Sequence, residues 1–449
     1  MALLAKAPKG THDILPSEVR KWQYVEDTAM DLAEIYGFQE IRTPNIEDIN
    51  LFVRSVGDTS DVVQKEMYEF EDKGGRHLAL KPEGTAGAVR ACLENGLLNE
   101  SLPVRVCYNG RNYRYERPQS GRYREFNQFG VEMFGSSEPS ADAEIIDLMN
   151  SILEHLQIEE YHLEINSIGC PECRKEYHKA LTEYYSSNKD QLCKTCLERL
   201  DKNPMRLLDC KEENCKKLAE NAPKTIDYLC DDCKAHFEKL KKYLDDMEIK
   251  YSVNPQIVRG LDYYTKTVFE FVCDKIGAQG TICGGGRYDG LVEQLGGKSV
   301  PAIGFAIGLE RLIMLMESCG ASFPEPPECE IYIAPMGEKA QDMAILLTHE
   351  LRKRTFFAQT DTVGRSIKAQ MKYADKIGAK YTLAIGDNEI ENGVATIKNM
   401  ANGVQNEISL GENFVDEFYD ILVHDEEMEH RFGEHKCEED CDCGCHHEH

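Results

Sequence analysis

Between Pro16 and Gly37 the apolar residues Trp22, Val25, Ala29, Leu32 and Tyr36 recur at steps of three and four, the period that lays one stripe of an α-helix against a core. Ser17 stands where an N-cap would, and Gly37 where the helix would end. The FQEIRTP that follows begins like a strand, with Pro44 where a strand edge or end tolerates a missing N–H. Farther on, Val104–Tyr115 leads in, Glu116–Arg124 turns and Glu125–Phe134 returns, which predicts an antiparallel pair. On the return strand a period of two puts Phe129, Val131 and Met133 on one apolar face and Phe126, Gln128, Gly130 and Glu132 on the other. A bulge would break that parity.

Residues 170–250 change character, being rich in Lys, Glu and Cys with helical periodicity, and read as an insertion. Strand-like segments resume at 251–307, and FPEPPE at 323–328, with three prolines in six residues, reads as a linker. Beyond it EIYIAP, a helical stretch near 338–354, GRSIKAQMKYADKIGAK and YTLAIG alternate strand and helix, predicting a small α/β domain over 329–423. The acidic remainder, 424–449, carries four Cys and six His and reads as a disordered tail.

Composition adds two limits. At 41% hydrophobic and 29% charged residues the chain is of globular type, and no stretch approaches the ~20 apolar residues that span a bilayer. No secretory h-region follows Met1, so a cytoplasmic protein without membrane contact is expected. The net charge of −27 argues at first against nucleic acid, but the tail alone holds ten acids against Arg431 and Lys436, so basic clusters elsewhere keep an RNA partner open.

The segment 105–124 holds six arginines (105, 111, 114, 117, 122, 124) and four tyrosines (108, 113, 115, 123). Guanidinium forks match phosphate oxygens and aromatic faces stack on bases, so the composition suits a nucleotide or an RNA end, although it also describes a solvated hairpin. The carboxylate and amide on one face of the return strand, separated by a glycine, look like a ligand floor. KPEGT (81–85), RGLDYY (259–264), GGGRYDGL (284–291) and GFAIGLERL (304–312) add charged and hydroxyl groups beside glycines. Each alone is weak: KPEGT and the glycine triplet also read as turns, the tyrosines as strand packing, and Arg311 as a surface residue.

In order and spacing, KGTHDILP, GFQEIRTP, KPEGT, YRYERPQSGRYREFNQFGVEMFG, VRGLDYYT, GGGRYDGL and GFAIGLERL resemble the three class II synthetase motifs joined to the two histidine-specific motifs of the histidyl-tRNA synthetase family. The resemblance runs to about residue 423. It implies an α+β catalytic domain of class II synthetase type on an antiparallel sheet (1–325), carrying a helical Cys-rich insertion, and a C-terminal α/β anticodon-binding domain. It further implies L-histidine, ATP with Mg2+, and tRNA as substrates, and a homodimer formed around Pro44. By position, Arg114 and Arg311 would hold ATP phosphates, Phe126 would stack on adenine, and Arg259 would sit at the α-phosphate. Glu83, Thr85 and Gln128 would receive the α-amino group of histidine, while Glu132, Tyr263, Tyr264 and Tyr288 would line the imidazole pocket. Gln119, Arg117 and Arg124 would meet the acceptor end of the tRNA. In the C-terminal domain Ile367, Met371, Ala374 and Ile377 form a helical stripe beside Lys368, Lys372, Lys376 and Lys380, a pattern that matches the anticodon-binding domain. A histidine-binding regulatory paralogue of histidine biosynthesis is the competing reading, against which the arginines and this domain speak.

The insertion's thiols are spaced as CPEC (Cys170, Cys173), CKTC (Cys193, Cys196), Cys210-x4-Cys215 and CDDC (Cys230, Cys233). Paired CxxC units suggest structural Zn2+ in two tetrahedral sites; incidental buried thiols in a variable insertion are the alternative.

Overall fold

The stripe Trp22, Val25, Ala29 and Leu32 folds as the buried face of the helix Val19–Ile35. Gly37, at φ +78°, turns the chain out of it. Ser17 does not cap this helix: Glu18 occupies the cap position and offers no side-chain hydrogen bond. The computed structural model describes residues 4–433 apart from 57–61, 258, 260, 262, 274 and 276–279. Two compact units meet at Pro324/Glu325, within the proline-rich stretch.

In chain order the strands of the first unit are β1 (Gln39–Glu40), β2 (Ile46–Asp48), β3 (Tyr68–Glu71), β4 (His77–Leu80), β5 (Val104–Tyr113), β6 (Glu125–Phe134), β7 (His162–Ser167), β8 (Tyr251–Val253), β9 (Thr265–Val272), β10 (Thr281–Arg287) and β11 (Ala302–Gly308). Among the described residues, eight of them form one sheet in the order β1-β5-β6-β11-β10-β9-β7-β8. Its centre is antiparallel as expected, while both edges are parallel pairs, β1 with β5 and β7 with β8. FQEIRTP thus yields only a two-residue edge strand. The β5–β6 hairpin pairs without a break from Val104↔Phe134 to Tyr113↔Glu125, so no bulge disturbs the parity of the return strand.

That parity divides the sheet. Phe129, Val131 and Met133 join Phe269, Phe271, Phe305 and Ile307 in the main core. Four helices, Val19–Ile35, Pro139–His155, Asp231–Asp246 and Leu309–Cys319, contribute most of the other buried side chains of that core. The opposite face carries Phe126, Gln128 and Glu132 into a cavity. The insertion is helical, as its periodicity predicts, with helices Pro171–Ser186, Lys194–Leu200, Glu213–Glu220 and Asp231–Asp246.

The second unit contains β12 (Ile331–Pro335), β13 (Ala358–Thr360), β14 (Tyr381–Ile385), β15 (Val394–Asn399) and β16 (Gln405–Ser409), ordered β13-β12-β14-β15-β16. The helix Ile367–Lys376 buries Ala374 and half-buries Ile367 and Met371, leaving Lys368, Lys372 and Lys376 exposed. The last helix, Phe414–Gly433, runs ten residues past the boundary expected at 423, because the acidic segment that follows is made of helix-compatible residues with no Gly or Pro before Gly433. Residues 434–449, where most of the expected tail falls, lie outside the described residues. No helix among the described residues is long and apolar enough to cross a membrane.

One buried ion pair ties these layers together. Arg287, at the end of β10, is fully buried; its Nε donates to Asp142 at 2.7 Å, and its two terminal nitrogens donate to the backbone oxygens of Ser136 and Glu138 at 2.7 and 2.8 Å. His236 of the insertion meets the other Asp142 oxygen at 3.1 Å. Burial works against the Asp142 charge, yet Arg287 and His236 outweigh it and hold its pKa below the ordinary value. Arg287→Met should therefore destabilise the first unit by about 3–5 kcal/mol, since it strands a buried carboxylate. In urea denaturation, Arg287→Met with Asp142→Asn should lose less than the two single losses added.

Candidate active site

The face of the sheet opposite the main core opens into a cavity of about 730 Å³ lined from β6, β10 and β11 and from the KPEGT and RGLDYY segments. Its floor is made by leaving side chains out. Gly130 and Gly84 face the Tyr108 ring, Gly304 faces the Glu132 carboxylate and Gly284 faces the Arg259 guanidinium; a Cβ at any of the four would overlap its neighbour. The GGGRYDGL triplet is strand rather than turn, within β10, and its first glycine leaves the room that the arginine of a different motif fills.

Two carboxylates sit on this floor. Glu83 is buried and accepts the backbone N–H groups of Thr85 and Ala86, both at 2.8 Å, at the start of the helix Thr85–Glu94. Burial pushes its pKa up, and those N–H groups oppose the shift. Glu132 is buried beneath two tyrosines: Tyr108 donates to one oxygen at 3.0 Å and Tyr288 to the other. Burial dominates here too and pushes Glu132 up to about 8. Tyr263 completes the pocket, its ring 4.7 Å from that of Tyr264 and 5.5 Å from that of Tyr288. Tyr263 and Tyr264 are held in the loop before β9, not within a strand.

The cations occupy another part of the cavity. Arg114 donates to the Pro82 carbonyl at 2.8 Å and lies 5.4 Å from the centre of the Phe126 ring. Arg311, in the first turn of its helix, donates to the carbonyls of Thr281 at 2.9 Å and Gly121 at 3.2 Å. Burial lowers the pKa of Arg311, and the neighbouring Arg122 and Arg114 lower it further. Arg122 pairs with the buried Glu116, and the gathering of three guanidiniums in this partly buried cleft gives it the chemistry to accept an anion.

Arg259 links the two groups. It pairs with Glu270, which also accepts the Thr281 hydroxyl at 2.8 Å, and its guanidinium lies 5.6 Å from the centre of the Tyr264 ring. Burial works against its charge, but Glu270 and Tyr264 outweigh it and hold the pKa above the ordinary value. Its Nε is buried with no hydrogen-bond partner among the described residues.

Of the expected site residues, Glu83, Thr85, Arg114, Phe126, Gln128, Glu132, Arg259, Tyr263, Tyr264, Tyr288 and Arg311 all line this one cavity. Gln119, Arg117 and Arg124 do not; Gln119 and Arg117 are exposed on the turn between β5 and β6, and Arg124 lies 3.8 Å over the Tyr115 ring. Sequence reasoning gave no role to Tyr108, Arg122, Glu270 or Glu310. Tyr108 was legible in principle, since the hairpin register sets it opposite Gly130. Glu310, pushed by burial up to about 7, accepts the Asn127 backbone N–H at 2.7 Å and lies next to Arg311.

Residues 10–312 match the family model described as Histidyl-tRNA synthetase, and residues 330–418 match the one described as Anticodon binding domain. The chain belongs to the histidyl-tRNA synthetase family. It is 57% identical over 408 residues to the histidine-tRNA ligase of Acetivibrio thermocellus, covering 91% of this chain and 98% of that one. It is 52% identical to the histidine-tRNA ligase of Clostridium novyi, covering 93% and 99%. The solved apo histidyl-tRNA synthetase of S. aureus superposes with a TM-score of 0.80 at 40% identity, covering 92% of this chain and 100% of that chain. The family resemblance read from VRGLDYYT and GGGRYDGL is borne out, as is the class II synthetase fold with its C-terminal anticodon-binding domain.

The raised pKa of Glu132 gives this synthetase a testable signature. A carboxyl raised from 4.5 to about 8 holds its proton more tightly folded than unfolded. Its contribution to stability is fully present below pH 4.5 and is lost as the pH climbs through 8. Glu132→Gln keeps an acceptor for the tyrosines and cannot ionise, so its urea midpoint should fall less than that of the unaltered protein across this window. Parallel curves would show that Glu132 is ionised throughout.

Proposed function

We propose that this chain activates L-histidine with ATP and transfers the histidyl group to the 3′ end of its tRNA, in the manner of its relatives named histidine-tRNA ligase. The observation that carries the reading is one cavity holding an arginine-rich anion site and a buried acid–tyrosine pocket, joined through Arg259. A regulatory histidine-binding subunit would need the second and not the first, and the matched anticodon-binding domain also speaks against it.

In this reading Glu83, Thr85 and Gln128 receive the α-amino group, and Glu132 with Tyr263, Tyr264 and Tyr288 receives the imidazole. ATP enters with Mg2+, its adenine against Phe126 and its phosphates against Arg114 and Arg311. The histidine carboxylate is already an anion at pH 7, so its attack on the α-phosphate needs alignment and charge neutralisation rather than a general base. Arg259, buried, permanently charged and with a donor to spare, supplies the neutralisation. A pocket built to hydrogen-bond imidazole leaves buried polar groups unpaired when another side chain enters, which is worth about 10⁴–10⁵ in discrimination.

Gln119, Arg117 and Arg124, on or beside an exposed turn, suit contact with the acceptor end of the tRNA. The exposed lysines of the second unit suit its distant part. A homodimer pairs around the edge strand β1, where Ile35 and Ile46 are exposed. The compartment is the cytoplasm, where the aminoacylated tRNA is used, and the insertion's cysteines hold structural Zn2+.

Two measurements test this scheme. Arg259→Ala should lower kcat of ATP–pyrophosphate exchange by about 10²–10³ with little change in KM, because the interaction strengthens as charge builds on the α-phosphate. Arg259→Lys should recover only part, lacking the planar fork. Transfer from preformed histidyl-adenylate should suffer less, pyrophosphate having already left. Normal exchange in Arg259→Ala would leave this arginine as a mere partner of Glu270.

In the second unit, Lys368→Glu with Lys372→Glu should raise KM for tRNA and flatten its salt dependence by about one unit of slope per lost phosphate contact. Exchange without tRNA should not change. An unaltered KM for tRNA would remove these lysines from the RNA surface.

A further inference from the structure

Four cysteine pairs in a row leave open which pairs share an ion. The fold decides it. The first and last pairs, Cys170, Cys173, Cys230 and Cys233, bring four sulfurs within 4.8 Å of one another, and the middle pairs, Cys193, Cys196, Cys210 and Cys215, do the same. The arrangement is nested: the outer quartet closes the base of the insertion, and the inner quartet lies within the loop so closed.

Both quartets have the dimensions of a metal site. Four thiolates around an ion at ~2.3 Å stand about 3.8 Å apart along the edges of a tetrahedron. The separations are 3.5 Å for Cys170–Cys173, 4.0 Å for Cys170–Cys230 and 3.8 Å for Cys193–Cys210. A disulfide would need about 2.05 Å, and all eight are free. Backbone N–H groups point at sulfur, from Cys230 to Cys173 at 3.1 Å, from Cys193 to Cys215 at 3.3 Å and from Cys196 to Cys193 at 3.4 Å.

The inner quartet also has a position that the outer one lacks. Cys210 lies between Asp209 and Lys211, and both of these, with Leu208, line the catalytic cavity alongside Arg259. Earlier in the same segment, Asn203, Met205 and Arg206 border a smaller hollow of about 70 Å³ together with Arg259, Leu261 and Tyr264. The stretch from 203 to 211, strung between the two halves of the inner quartet, is thus a wall of the site.

Resting on the reading of these thiols as zinc ligands, we propose that the insertion binds two Zn2+ ions in this nested pairing and that the inner ion holds residues 203–211 against the Arg259 side of the catalytic cavity. Zn2+ is redox-inert and tetrahedral when bound by four thiolates, which suits a closed structural site. With the inner ion gone the wall is free to shift, and a misplacement of about 1 Å near the chemistry costs on the order of 10² in rate.

The test uses full-length protein purified without chelator, with metal measured by plasma mass spectrometry. Two zinc ions per chain are expected, and one after Cys193, Cys196, Cys210 and Cys215 are all replaced by Ser, since any other pairing of the four CxxC-like units would then lose both. Co2+ exchanged into that variant should show thiolate-to-metal absorption at about half the unaltered intensity. In the same variant kcat of ATP–pyrophosphate exchange should drop about 100-fold while far-UV circular dichroism keeps its helix signal. Cys210→His, which retains a ligand, should recover zinc and rate where Cys210→Ser does not. Protein free of bound metal would overturn the zinc reading itself. Loss of both ions from the inner variant with its helix signal intact would overturn the nested pairing, and so would loss of neither. Loss of one ion with normal exchange would overturn the role of the wall and leave both zinc sites standing.

Discussion

The site depends on a sheet face from which side chains have been removed. Gly130, Gly284 and Gly304 lie on three adjacent strands, β6, β10 and β11, and each vacates the volume that a functional side chain fills. Glu132 can lie flat over β11 because position 304 has no Cβ. Arg259 can reach across β10 because position 284 has none. Close packing leaves no slack for a methyl group at these points. The same strands bury Phe129, Phe269 and Phe305 on their other face, so the floor is rigid from below and bare above.

On this floor burial raises the cost of every charge, and the cavity offsets that cost differently at its two ends. At the acid end the hydrogen bonds to the carboxylates come from hydroxyl and amide donors, and only Glu83 also feels a nearby cation, Arg114. Glu132 accordingly drifts toward its protonated form. At the cationic end burial lowers the pKa of Arg114, Arg122 and Arg311, and Arg122 and Arg114 lower that of Arg311 further, a cost that a bound polyanion would offset. Arg259 is the exception, since its pairing with Glu270 keeps its charge favourable despite burial. A guanidinium already paired on one edge, with Nε still unmade, is oriented before substrate arrives, and preorganisation of this kind lowers a barrier without reorganisation at the moment of reaction.

How much of this was legible depended on period and on register. The return strand Glu125–Phe134 was read with its correct ends and faces because alternation over ten residues is a strong local signal. The helices at 367–376 and 338–353 follow for the same reason. Tyr108 went unassigned because its place opposite Gly130 depends on where the hairpin closes. Glu270 lies in no motif and its part comes from packing between strands, whereas Arg122 lies inside the hairpin motif but was given no role of its own. The glycine triplet looked like a turn because its reason lies in side chains distant in sequence. The cysteine spacing announced pairs but could not show their grouping, which follows from the path of four helices.

The buried Arg287–Asp142–His236 cluster shows why the insertion cannot be treated as an appendage. Asp142 belongs to a core helix, Arg287 to β10 and His236 to the last insertion helix, so the three elements share one set of charges. Arg287 is followed directly by Tyr288, which donates to Glu132 on the cavity floor. Movement of the insertion helix would leave Asp142 short of a partner, and the cheapest relief would be a shift of Arg287, carrying Tyr288 with it. Because a buried ion pair holds only in tight geometry, such a cluster resists small displacements and gives way only to large ones. The acid–tyrosine pocket and the insertion thus lie on one continuous run of contacts, from Glu132 through Tyr288 and Arg287 to Asp142 and His236.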